Sequence, residues 1–292
     1  MSRWLVLWFV VACGGSSATT PGPTLEADNP ATMPAAPVSF DTEFAIPVSR
    51  PTGDPIKVAA FTPVPGLRRT RTIDKLFTVD EDLGQGKVFQ QRTTTRFVLR
   101  EEILAARDTT IEKLQVAADT AEERVELRGT PHQQQLLDGT YVVAPGTRAL
   151  TVTRQAGTDV GSREVEELSY IYEDQVGVPF GLSVILATKQ LRFGESTKLT
   201  VDDLKTLEAE TDITLSLIAL DGGIATYQFL STTSEPYGLG EPGDRENIGT
   251  KASVAVEIAT GRVLRADLLN LRVVETKSIK RSQRTMKLEY PR

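Results

Sequence analysis

The chain has one cysteine and one histidine in 292 residues, and these two scarcities exclude several kinds of site. Because Cys13 has no second thiol to pair with, an intramolecular disulfide is excluded, and the folded part has no thiolate metal site or cysteine nucleophile. His132 alone cannot form a multi-histidine metal site.

Basic charge is also in short supply. Lys and Arg number 33 against 39 Asp and Glu, a formal charge of −6, and loss of Arg3 with a leader would leave 32 against 39, or −7. A nucleic-acid-binding domain needs a basic face or stripe, so the composition predicts no nucleic-acid partner. At 40% apolar and 25% charged residues, the chain is typical of a soluble globular body.

The N-terminal apolar run is too short to cross a bilayer, which takes about 20 helical residues. It extends without interruption from Trp4 to Ala12, follows Arg3, and is succeeded by small residues from Gly14 onward. Basic, apolar and small residues in this order predict a secretory signal peptide.

The end of this run, Val10-Val11-Ala12-Cys13, resembles the lipobox of bacterial lipoproteins. The resemblance implies a signal peptide over residues 1–12 and a diacylglyceryl group on Cys13, which makes the membrane a partner. Gly14 at the next position, where Asp tends to retain such proteins in the inner membrane, implies the outer membrane, facing the periplasm or the surface. The alternative is an ordinary signal peptide with an unpaired thiol.

The chain after the cysteine falls into three parts. Residues 13–37, rich in Pro, Ala, Ser and Thr, predict a disordered tether. Residues 38–66 are ambiguous, because apolar residues such as Phe40 and Phe44 alternate as in a strand while Pro47 would confine that strand to an edge. Residues 67–292 predict a single β-rich globular domain.

Alternation of apolar and polar residues dominates this domain and predicts half-buried antiparallel strands. Asp221-Gly222-Gly223 between two such segments predicts a hairpin turn. Residues 110–117 and 121–128 fit either two strands or a helix. The predicted strands cover residues 70–79, 87–99, 140–143, 149–154, 189–193, 211–220, 224–230, 251–259, 262–274 and 285–290.

The middle of the domain has helical spacing. A helix is predicted from Ser162, with Val165, Leu168 and either Ile171 or Tyr172 on one face. Shorter helices are predicted over residues 180–187 and over residues 201–207, the latter capped by Thr200. The pattern as a whole predicts an α+β fold, predominantly antiparallel β, with a short helical insertion in the middle.

Four stretches between about Leu137 and the C-terminus carry a family likeness. They are Asp138-Gly139-Thr140-Tyr141-Val142-Val143, the Glu-rich helix with Gly177-Val178-Pro179 after it, Leu191-Arg192-Phe193-Gly194-Glu195-Ser196, and the turns Asp221-Gly222-Gly223 and Thr260-Gly261-Arg262. Together they resemble a family of uncharacterised bacterial lipoproteins, known as domains of unknown function. The resemblance implies a curved sheet or half-barrel and supplies no catalytic residues.

Several motifs suggest chemistry but lack the context that it needs. Gly238 to Gly243 matches G-x-G-x-x-G, yet no crossover helix follows, so a loop is expected. Asp80-Glu81-Asp82 has too few regularly spaced oxygen ligands for a calcium loop and predicts a solvated turn. His132 is expected in a polar loop, and no G-x-S-x-G elbow occurs. The sequence therefore assigns no catalytic residue, metal ligand or cofactor.

The sequence predicts a non-enzymatic cell-envelope lipoprotein that binds an apolar ligand or an envelope protein. One alternative is a scaffold or assembly lipoprotein whose apolar residues form a dry core under the helices. Another is an envelope-polymer hydrolase with paired carboxylates that the sequence does not identify. No oligomeric state is predicted. If a lipid is bound, the residues expected to line its cavity are Val254, Val256, Ile258, Leu264, Leu268 and Met286.

Overall fold

The computed structural model describes residues 40–46, 50–82, 88–127, 130–207, 209, 211–237, 244–276 and 279–290. The strands are β1 (Thr52–Ile56), β2 (Arg68–Asp82), β3 (Val88–Arg107), β4 (Thr110–Leu127), β5 (Thr130–Gln135), β6 (Thr140–Pro145), β7 (Leu150–Arg154), β8 (Leu191–Phe193), β9 (Ser196–Lys198), β10 (Thr214–Asp221), β11 (Ile224–Pro236), β12 (Arg245–Glu257), β13 (Val263–Glu275) and β14 (Ile279–Glu289). The helices are α1 (Phe40–Glu43), α2 (Ser162–Tyr172), α3 (Gly181–Thr188) and α4 (Val201–Thr206).

Twelve of these strands form one curved antiparallel sheet that does not close on itself. Its order is β7-β6-β4-β3-β2-β14-β13-β12-β11-β10-β9, with β5 also paired to β4, while β1 and β8 form a separate pair. The predicted class, α+β and predominantly antiparallel β, is confirmed, and α2 and α3 are the helical insertion in its middle. No helix among the described residues is both long and apolar enough to cross a membrane.

We call the side of the sheet that α2 and α3 cover the inner face, and the opposite side the outer face. Leu168, Ile171 and Tyr172 of α2 are buried in the main apolar core, as the spacing from Ser162 predicts. Because strand side chains alternate between faces, Val254 of β12 joins this core while the adjacent Ser253 lies on the outer face.

The predicted hairpin between β10 and β11 is confirmed. Gly222 and Gly223 have φ of 52° and 84°, a conformation that a two-residue hairpin turn requires and that glycine adopts without strain. The segment whose state was left open, residues 110–128, is a strand over Thr110–Leu127, paired with β3 along its length.

The strand-like alternation that makes residues 38–48 ambiguous does not correspond to a strand in residues 40–46. Phe40–Glu43 is a single helical turn that brings Phe40 and Phe44 together, with ring centroids 4.8 Å apart. Residues four apart share one helix face, so both rings pack on Leu230 and Leu271 of the outer face.

Residues 52–59 of the ambiguous segment are integrated into the body. Strand β1 pairs with β8, and Val58 is buried in the main core. Ala59 donates its amide to the carbonyl of Ile258 at 2.9 Å.

Two polar segments expected in turns or loops are strand residues. Asp80 and Glu81 pair with Arg281 and Lys280 of β14, and His132 pairs with Val125 of β4. The polar composition hides these strands because neither face of the sheet is deeply buried there.

Candidate functional site

Strands β2, β3, β13 and β14 line one cavity on each face of the sheet. The inner cavity has a volume of about 400 Å³ and lies between these strands and α2. The residues that line the inner cavity include Lys75, Phe77, Tyr170, Leu268, Arg284 and Met286. Its volume falls in the range of about 300–1,000 Å³ that is usual for small-molecule sites.

Leu268 and Met286, two of the residues expected to line a ligand cavity, both line the inner cavity. They are directly paired on β13 and β14, and both point to the inner face. Two of the six residues expected to line a ligand cavity therefore lie at the inner cavity.

The other four expected wall residues do not reach the inner cavity. Val254 and Val256 are each 1% exposed in the main core, as the dry-core alternative expects. Ile258 packs against that core, and Leu264 is half-buried.

The sequence analysis missed Lys75, the most unusual residue of the cavity. Its ammonium nitrogen lies 4.1 Å from the ring centroid of Tyr170 and 5.3 Å from that of Phe97. Burial lowers the pKa of Lys75 to about 8, against the opposing attraction of Glu167. The available signal was alternation in β2, which places Lys75 on the same face as Ile73.

Two further cations on the inner face of β2 are held by a carboxylate. Glu101 is 2% exposed, accepts from Arg69, and accepts from the hydroxyl of Tyr172 at 2.8 Å. Burial alone would lower the pKa of Arg69, but the attraction of Glu101 and Tyr290 together outweighs it, so the pKa is raised. We call Arg69, Arg71, Glu101, Tyr172 and Gln175 the buried polar cluster.

Arg71 has several partners within this cluster. The amide oxygen of Gln175, oriented to satisfy both groups, accepts from both terminal nitrogens of Arg71 at 3.1 Å. A small cavity of about 40 Å³ runs from Arg71 to Lys75 under α2. The buried polar cluster therefore lies next to the inner cavity and fixes α2 above it.

The groove on the outer face is larger, about 770 Å³. Its lining also includes Lys75, Leu268 and Met286, but most of its remaining residues differ from those of the inner cavity. No aromatic ring of the described residues lines it, and charges of both signs do. Asp74 pairs with Arg96 at 3.8 Å and Glu43 with Lys251 at 3.7 Å. Such a surface is well solvated, so it is the inner cavity that suits an apolar ligand.

Acidic residues elsewhere have structural partners. Glu164, at the start of α2, accepts from Tyr141 and Arg154 and from the amide of Gly161. Asp203 and Thr200 cap α4 reciprocally, as expected for an N-cap at Thr200. Within the described ranges, no group of three or more His, Cys, Asp or Glu residues could hold a metal ion.

Two features from the sequence lie outside the described residues. These are Cys13, the expected lipidation site, and the glycine-rich segment 238–243.

Comparison with known proteins gives no family. No protein-family model and no curated protein matches the chain. A solved structure described as lipid–protein interactions in lipovitellin is similar over 78% of this chain and 25% of that chain, with a TM-score of 0.46 and 7% identity. The chain thus spans about a quarter of the length of that protein.

Proposed function

We propose that this chain is a non-enzymatic lipoprotein of the cell envelope that binds an apolar or amphipathic ligand in the inner cavity. The observation that carries the proposal is the cavity itself, which has apolar walls at Leu268 and Met286 and charged side chains at Lys75 and Arg284. A lipid-like molecule has the same division into apolar and polar parts.

The inner cavity lies between an aromatic side chain of a helix and apolar side chains of the sheet. Tyr170 of α2 lies above, while Phe77, Leu268 and Met286 belong to the sheet below. Apolar walls with a few convergent polar groups are the usual composition of small-molecule sites.

The membrane anchor is the second part of the proposal. A diacylglyceryl group on Cys13 would hold the protein at the outer membrane, on its periplasmic or surface side. Phe40 is 27 residues further along the chain, and each residue spans at most about 3.5 Å. The body could then reach lipids of its own membrane and partners well beyond it. Membership of the bacterial lipoprotein family that the sequence resembles is part of the same proposal.

Metabolic labelling tests the anchor. Bacteria that express the full chain are grown with a clickable palmitate analogue, and the chain with Cys13→Ser is the matched control. We expect the chain that retains Cys13 to incorporate the label and to fractionate with the membrane, and the Cys13→Ser chain to do neither. Equal labelling of the two chains, or none of either, would contradict lipidation at Cys13.

Native mass spectrometry tests the ligand. The Cys13→Ser chain, which carries no acyl anchor, is purified without detergent and compared under native and denaturing conditions. We expect a reproducible lipid adduct that disappears on denaturation. A clean apoprotein mass would instead favour the scaffold alternative, in which the outer surface recognises a partner.

The hydrolase alternative rests on one observation. Glu123 and Glu167 both line the inner cavity, and burial raises the pKa of Glu167, as a general acid requires. Glu123, however, accepts from Gln134 and pairs with Arg163 at 3.5 Å. Because this carboxylate already has two partners, binding without hydrolysis is the better-supported function.

A further inference from the structure

The ammonium group of Lys75 has aromatic neighbours but no acceptor. Within the described part of the chain, it makes no hydrogen bond and has no carboxylate oxygen within 4.0 Å. Lys75 is half-buried, and a cation that is even partly withdrawn from water without a partner is costly. Natural proteins tolerate that cost chiefly where the group has a function.

The charged groups around Lys75 come from three other elements and from its own strand. Glu167 of α2 is half-buried, and burial disfavours its charged form by raising its pKa. Glu123 of β4 is held by Gln134 and Arg163.

The neighbouring cations also have their own contacts. Arg284 of β14 lies over the ring of Phe77, 4.5 Å from its centroid. Arg71, on the same strand as Lys75, is held by Gln175 and by the carbonyl of Ile171. Lys75 contacts the rings of Tyr170 and Phe97, and no hydrogen-bond acceptor of the described residues lies at its ammonium group.

We propose that the ligand carries an anionic headgroup, a carboxylate or a phosphate ester, and that Lys75 selects it by pairing with that anion. This inference rests on the proposed function of the inner cavity. The headgroup would supply the acceptor that the protein does not, while the alkyl chain packs on Leu268 and Met286. The ring of Tyr170 would remain in contact with the ammonium, whose nitrogen lies 4.1 Å from the ring centroid.

Three ligands with one alkyl chain test the inference: dodecanoate, dodecyl phosphate and dodecanol. Binding below their micelle concentrations is followed at pH 7 by the ¹³C-methyl signal of Met286 in the Cys13→Ser chain. A charge-assisted hydrogen bond contributes about 1.5–3 kcal/mol, so we expect at least one anion to bind about tenfold or more tightly than dodecanol. The tighter anion distinguishes a fatty acid from a phosphate-bearing lipid.

Matched variants separate charge from packing. Lys75→Met keeps the length of the side chain and removes the charge. The affinity for the tighter-binding anion should then exceed that for dodecanol by about twofold or less. Lys75→Arg should keep much of the preference for the anion, and Lys287→Met on the outer face should leave that preference unchanged. Raising the pH from 7 to 9.5 should weaken anion binding to the Cys13→Ser chain that retains Lys75, because Lys75 loses its proton over that range.

The outcomes that contradict the inference are distinct from those that contradict the proposed function. Equal affinity for dodecanol and both anions, or a preference that survives in Lys75→Met, would overturn the role of Lys75 while leaving an apolar site. Failure of all three ligands to shift the Met286 signal would overturn the binding function as well.

Discussion

Glu101 and Glu102 are neighbours on β3, yet their carboxylates lie in different environments. The side chain of Glu101 points to the inner face, has no exposure, and is enclosed by Arg69 and Tyr172. That of Glu102 points to the outer face, where it pairs at 2.9 Å with Arg68, a side chain that is 78% exposed. Lys75 and Asp74 on β2 differ in the same way, because Lys75 points to the inner face beneath Tyr170 and Asp74 points to the solvated outer face.

This comparison explains why one face can hold a binding site and the other remains solvated. A charge on the inner face must be compensated by protein groups, or by a ligand, because water does not reach it fully. A charge on the outer face is already stabilised by water, and its ion pairs add little. An uncompensated cation on the inner face is therefore informative, whereas the many cations of the outer groove are not.

The largest expected effect is on the buried polar cluster. Glu101→Leu should lower the free energy of unfolding by about 3–5 kcal/mol, since it leaves Arg69 and Arg71 buried without their carboxylate. Glu102→Leu should change it by about 1 kcal/mol or less. Urea unfolding followed by circular dichroism measures both, and similar losses for the two variants would refute the distinction between the faces.

A smaller effect is expected for the apolar cluster of the outer face. Phe44→Ala should lower the free energy of unfolding by about 2 kcal/mol, the burial energy of one large apolar side chain. The loss should be local to α1 because this cluster has only three buried members. Hydrogen exchange should show faster exchange in residues 40–46 and unchanged protection in β3. Loss of protection across β3 would show that the outer cluster supports the whole sheet.

Gly249→Ala perturbs the same apolar cluster by adding a methyl group on the sheet beneath Phe44. A Cβ at Gly249 would lie 2.6 Å from the nearest ring atom of Phe44, so α1 should be displaced without the loss of an apolar side chain. The same local exchange pattern is expected.

Substitution of Lys75 should stabilise the protein, whereas the preceding substitutions destabilise it. Lys75→Met replaces an unpaired ammonium with an apolar side chain of similar length, so it should raise the free energy of unfolding at pH 7 by about 1–2 kcal/mol. Lys287→Met, on the outer face, should change it by about 0.5 kcal/mol or less. A destabilised Lys75→Met chain would mean that the ammonium is compensated in the unliganded protein.

The smallest effect is the pH dependence of this cost. The pKa of Lys75 falls from 10.5 to about 8 on folding, so the unfolded chain binds more protons between these values. The cost is therefore fully present below pH 8 and is relieved as the pH rises through that window. The stability difference between Lys75→Met and the unmodified chain should shrink by about 1 kcal/mol from pH 7.5 to 9.5. A constant difference would contradict the assignment.

The sequence predicts the fold well where a strand has one buried face. The alternation in residues 251–259 and 285–290 correctly places Val254 and Met286 on the inner face. The spacing from Ser162 likewise predicts both the start and the buried side of α2.

The prediction of strand bounds from the sequence fails where strand pairing depends on residues that are distant along the chain. Strand β14 begins at Ile279, earlier than the predicted start at Thr285, and β12 begins at Arg245. Both extensions are mostly polar, and most of their residues are half-buried or exposed. Long neighbouring strands hold them through backbone hydrogen bonds. Alternation carries no signal for such segments.

The candidate site is predicted only in its apolar part. Leu268 and Met286 are visible in the sequence as apolar strand residues, but Lys75 is visible only as a polar residue in an otherwise plausible strand. Its importance comes from the position of Tyr170, which lies almost a hundred residues away along the chain. The buried partners of Arg69 and Arg71 are equally remote, so sequence spacing does not reveal that Lys75 lacks one.

The most direct test of ligand binding on the inner face is a titration of the Met286 methyl signal. The chain has three methionines, Met1, Met33 and Met286, and Met286 is the one that lines the inner cavity. With dodecanoate added to the ¹³C-methyl-methionine-labelled Cys13→Ser chain, we expect a saturable shift of Met286 while Met1 and Met33 stay unchanged. No shift of Met286, or equal shifts of all three signals, would contradict a ligand site on this face.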